Sequence, residues 1–172
     1  MNLTGPLLPR HRTTKRDERW RPFVLGILTL MAVVLQFFLP LVTTYLSYVQ
    51  LPLLFTIHVA LSRRSPVGAL LYGGAVGLLE DAVFNRPLGV YGIVKTLVGF
   101  FAANAGMRMD AENPAIRVLL SFVFYFLHQL FQLVLTRALL GELTPFDPLQ
   151  TAIIALLNAA VSVPLFQLLD RL

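Results

Sequence analysis

Six stretches of mostly apolar residues, at about 23–41, 49–61, 66–84, 88–107, 115–139 and 148–168, occupy most of this chain. A helix needs about 20 such residues to cross a hydrocarbon core about 30 Å thick, because each residue adds about 1.5 Å. The stretches therefore predict an all-α polytopic membrane protein, a six-helix transmembrane bundle. The second stretch is short and starts near Pro52. Pro66 and Pro148 suit first helical turns, and Pro164 is expected to kink the sixth helix.

Charge is scarce and unevenly placed. Only 13% of the 172 residues are charged, against about 25% in a soluble domain. Eight of the 23 charged residues fall within the first 21, which leaves fifteen for the other 151. Residues 1–21 read as a basic cytoplasmic tail and 22–172 as a single six-span membrane domain. With loops assigned in alternation, the side holding both chain ends carries eleven Lys and Arg and the opposite side carries two, Arg86 and Arg137. That bias places both termini in the cytoplasm.

Arg10, Arg12, Lys15, Arg16, Arg19 and Arg21 could neutralise phosphates of a nucleic acid. A basic stretch directly before a first span more simply orients that span and lies on anionic lipid headgroups, with Trp20 at the interface. No nucleic-acid partner is expected. The apolar run that follows is too long for a signal-peptide core and lacks an A-x-A-like cleavage site, so the tail is expected to stay attached.

Catalytic and metal chemistry find little support. The chain has no cysteine, and its three histidines, at 11, 58 and 128, lack the spacing that puts two imidazoles on one helical face. The serines form no nucleophile elbow, and no glycine-rich phosphate loop appears. Glu80 and Asp81 are adjacent, about 100° apart on a helix, and make a poor acid–base pair. No enzyme activity, metal or cofactor is expected.

The polar and small residues inside the spans are patterned. Ala69, Gly73, Gly77 and Asp81 recur every four residues along one face of the third span. Gly89, Gly92, Thr96, Gly99 and Ala103 form a second narrow stripe on the fourth. Small residues let backbones approach closely, the main source of helix affinity in lipid. The two stripes can pack on each other, or one can receive a helix from another protein. Lys95 lies on the same side of the fourth span, where an unpaired ammonium costs at least about 3 kcal/mol. Asp81 or Glu80 is its expected partner. The fifth span carries Ser121, Tyr125, His128, Gln132 and Thr136 on one stripe, flanked by Gln129, and the sixth carries Asn158 and Ser162. These side chains can bond across helices, or they can line an internal cavity for a small ligand.

The segment 60–102 resembles the central region of the rod shape-determining protein MreD family. The resemblance rests on Arg63-Arg64 before a small-residue helix, Gly77-Leu78-Leu79 leading to Asp81, Pro87-Leu88-Gly89 at the hairpin, and Leu97-Val98-Gly99-Phe100 in the next helix. It implies a non-enzymatic scaffold of the bacterial inner membrane. Its implied partners are an MreC-like bitopic protein, a RodA-like glycosyltransferase, a penicillin-binding transpeptidase and MreB filaments. Helix docking by the Ala69 to Asp81 face, Pro87, Gly89, Gly92 and Gly99 fits such a role. The architecture also looks similar to the substrate-binding subunits of energy-coupling-type vitamin transporters, which gives an alternative function in small-molecule uptake. Those subunits commonly carry an AxxxA motif on the first helix, whereas here Ala32 is followed four residues later by Gln36.

Overall fold

The computed structural model describes residues 15–42, 47–111, 113–141 and 145–171. Within them the chain forms six α-helices and no strand: α1 Lys15–Val42, α2 Leu51–Arg63, α3 Pro66–Val83, α4 Val90–Arg108, α5 Pro114–Leu135 and α6 Pro148–Asp170. Arg10 and Arg12 lie outside the described residues. Lys15, Arg16, Arg19 and Arg21 extend α1 into the tail, eight residues ahead of the expected start at Phe23.

Local chemistry sets the helix starts. Proline occupies the first turns of α2, α3, α5 and α6, where its missing N–H costs nothing. Ser65, Asn113 and Asp147 cap three of these helices by accepting N–H bonds from Gly68, Ala115, and Leu149 with Gln150. Pro164 sits inside α6, which remains helical to Asp170. The last turn of the fifth span widens into a π-turn, Thr136–Leu140, closed by Gly141 in the left-handed region at φ 67°.

Five helices are long and apolar enough to cross a membrane. The exception is α2, whose 13 residues reach only about 20 Å. It is sheathed in protein instead: residues 52–61 are all buried, and α2 touches each of the other five helices. By contrast, α1 lies at the edge, with Phe23, Leu30, Met31 and Leu41 exposed. The most extensive packing is between α3 and α4.

The short α2 begins deep in the bundle. Asn158, ten residues into α6 and so about 15 Å below its first turn, accepts from the Gln50 N–H at 2.9 Å and donates to the Tyr48 carbonyl at 2.8 Å. From α1, Gln36 accepts from the Leu51 N–H at 3.0 Å. Non-helical backbone at membrane depth is tolerated only when protein satisfies its polar groups, and these two amides do so. Residues 48–50 thus lie inside the bundle, directly ahead of α2.

Candidate functional site

The α3–α4 hairpin is built by its small residues. Gly73 lies against the backbone carbonyl of Lys95, Gly77 against that of Tyr91, and Gly99 against that of Ala69. The pairing steps by four residues in each helix, in opposite directions, so the two stripes form one antiparallel seam. A Cβ at Gly99 would stand 2.5 Å from the Ala69 carbonyl oxygen, and at Gly77 only 2.7 Å from the Cα of Gly92. The seam is therefore filled within this chain, and it offers no open groove to an outside helix at Ala69, Gly73 or Gly77, all buried. Pro87 and Gly89 belong to the connecting turn, where Gly89 adopts φ 103°.

The two adjacent acids have separate work. Glu80 meets Lys95 in an ion pair with Nζ to Oε2 at 2.5 Å, both side chains almost wholly buried. Asp81 turns about 100° away and faces the start of α4. Its carboxylate accepts from the N–H groups of Gly89 at 2.9 Å, Tyr91 at 3.3 Å and Gly92 at 3.3 Å. These are donors that a helix start leaves without partners, and a negative charge is favourable there. Of the two acids the sequence offered to Lys95, the structure therefore joins Glu80 to it and employs Asp81 as a helix cap supplied from a neighbouring helix. Arg86 completes the cluster, 3.9 Å from Glu80 and stacked over the Tyr91 ring at 4.4 Å. Lys95 approaches the same ring at 4.7 Å.

The polar residues of α5 and α6 are distributed differently. Asn158 holds the backbone of Tyr48 and Gln50, and Ser162 donates to the Ala159 carbonyl of its own helix at 2.7 Å. Of the two readings for these residues, Asn158 follows the one of bonding across helices, and Ser162 is satisfied within its own helix. Tyr125 accepts from Gln129 at 3.0 Å. His128 is fully buried with its ring 5.6 Å from that of Tyr91, and among the described residues neither ring nitrogen has a hydrogen-bond partner. The Ser121 hydroxyl and the Gln132 carbonyl oxygen are likewise buried without one.

A cavity of about 500 Å³ opens at the hairpin end, between the start of α4, the end of α5 and the first turn of α6. Gln132 lines it, as do Gln129, Thr136, Arg86 and Gln150. At the opposite end, Asp170 of α6 pairs with Arg117 of α5 and lies 3.8 Å from His58 of α2. Sequence reading missed Gln36, Gln150 and the Asp170 cluster. Only Gln36, a lone amide in an apolar helix, carried a local signal.

With this architecture in place, comparison with known proteins is informative. The family model for rod shape-determining protein MreD matches residues 18–172. The chain belongs to the MreD family. The match runs through all six helices, far beyond the segment 60–102 that carried the sequence resemblance. Membership makes this a multi-pass membrane protein with a role in determining rod shape. No curated protein and no solved structure matches the chain. The hairpin of MreD-like motif residues is also where the intramembrane ion pair and the helix-capping aspartate sit.

Proposed function

We propose that this protein is a non-enzymatic scaffold of the bacterial inner membrane that binds an MreC-like bitopic protein and links MreB filaments to a RodA-like glycosyltransferase and its transpeptidase. The MreD match over residues 18–172 carries the reading. The architecture is consistent with it. A rigid hairpin, self-sealed by its own seam, presents its remaining faces to lipid or partner helices, and α1 exposes a long apolar flank at the edge of the bundle.

Orientation follows the charges. Arg63, Arg64, Arg108, Arg117 and Arg171 belong to one end of the bundle, and Arg86 and Arg137 to the other. The positive-inside rule sets the first end in the cytoplasm, together with the tail and its affinity for anionic lipids. The hairpin then faces outward.

Capture of the tagged full chain from solubilised bacterial membranes tests this reading. A bitopic coiled-coil protein and the wall synthases should co-purify, and depletion should turn rods into spheres. Recovery of a paired-ATPase module in their place, with cell shape unchanged, would overturn it.

A further inference from the structure

The cavity at the hairpin end has polar walls whose hydrogen-bonding capacity is not used up. Gln129 donates through Nε2 to the Tyr125 hydroxyl, which leaves its carbonyl oxygen as an acceptor. Gln132 also lines the cavity, and its carbonyl oxygen is covered and without a partner. The terminal torsion of a glutamine is soft, so a turn of that amide offers either its oxygen or its NH2 to the cavity. A volume near 500 Å³ falls within the range of small-molecule sites, which run from about 300 to 1,000 Å³.

The charges here give no net preference for an anion or a cation. Arg86 and Asp147 are the charged residues of the lining, and they are opposite in sign. The guanidinium is already stacked on Tyr91 and lies 3.9 Å from the Glu80 carboxylate. One oxygen of Asp147 is committed to the Leu149 and Gln150 N–H groups at the start of α6. What remains is a set of neutral amides and the ring of Phe146 along the same cavity, since the Tyr91 ring is already covered by Arg86 and Lys95. Amides bond hydroxyls as donor or acceptor, and aromatic faces cover the C–H faces of a sugar ring.

We propose that this cavity is a binding site for a small uncharged saccharide, held by the amides of Gln129 and Gln132 against Phe146. The site is independent of the scaffold reading, since it needs no partner protein.

The test uses the full chain in phosphatidylcholine nanodiscs, because the headgroups of maltoside detergents would compete. Glucose, N-acetylglucosamine and maltose are titrated at millimolar concentrations while thermal unfolding is followed, with acetate, phosphate and trialanine in parallel. At least one sugar should raise the melting temperature in a saturable way. Gln132→Leu and Gln129→Leu should each weaken that sugar about tenfold, the loss expected for one hydrogen bond; without sugar, Gln132→Leu should melt near the parent and Gln129→Leu lower, because it strands the buried Tyr125 hydroxyl. Three outcomes would each overturn the proposal: no sugar shifts melting, the two variants bind the sugar unchanged, or acetate, phosphate or trialanine binds and the sugars do not. If one variant fails to fold, the other decides.

Discussion

Two polar regions lie within the apolar spans, and they handle burial in opposite ways. In the α3–α4 hairpin every polar group described above has a partner: Lys95 has Glu80, Asp81 has three backbone N–H groups, and Arg86 has a ring and a carboxylate. On α5 the fully buried His128, the Ser121 hydroxyl and the Gln132 carbonyl oxygen lack partners among the described residues. Satisfied groups make the hairpin a rigid unit. Unsatisfied ones cost stability unless something else meets them. The first pattern is that of a frame; in the second, Gln132 borders the cavity, while His128 and Ser121 are not part of its lining.

Mutations should separate the two, and the hairpin should respond most. Lys95→Met leaves the Glu80 carboxylate buried without its ammonium, at an expected cost of about 3–5 kcal/mol. Glu80→Met in the same chain should recover most of that loss, measured by unfolding in detergent. If the double variant is no better than the single one, the pair is not the source of the cost.

Next comes Gly77→Leu, whose side chain has no room beside Tyr91 and Gly92. Overpacking of this kind typically costs about 1–3 kcal/mol. The measurement that sharpens it is crosslinking across α3 and α4, which should fall as the seam opens, and an intact seam would contradict the packing described here.

Asn158→Leu should cost about 1–3 kcal/mol by stranding the Gln50 N–H and the Tyr48 carbonyl. Proteolysis or hydrogen exchange should then report local loosening at residues 47–50 before the bundle unfolds. Smallest of all is Gln132→Leu, expected within about 1 kcal/mol of the parent, because it removes a buried oxygen that has no partner. A large destabilisation there would erase the contrast between hairpin and cavity.

Much of the hairpin was legible in advance. The four-residue step of Ala69, Gly73 and Gly77 marks a face that admits a backbone, and the matching stripe through Gly92 and Gly99 marks its complement. That the two stripes would meet each other was one of two readings, and the α3–α4 seam realises it. The polar residues of α5 and α6 were visible as stripes but not as roles. Asn158 was open to bonding across helices or to lining a cavity, and it clamps the backbone of residues 48–50, more than a hundred positions away in sequence.

The sequence by itself determined that the chain lives in a bilayer, that it forms six helices and that it has the MreD pattern. Hydropathy, charge placement and small-residue spacing are local quantities, and each survives whatever the neighbours do. Only the tertiary structure decided that α2 is a buried core helix starting at mid-depth, that Lys95 takes Glu80 while Asp81 caps α4, and that Gln132 ends beside a cavity. Periodicity specifies the direction in which a side chain leaves its helix. What it meets there depends on the register and depth of another helix, and in lipid those are set by backbone fit and hydrogen-bond satisfaction across the whole bundle.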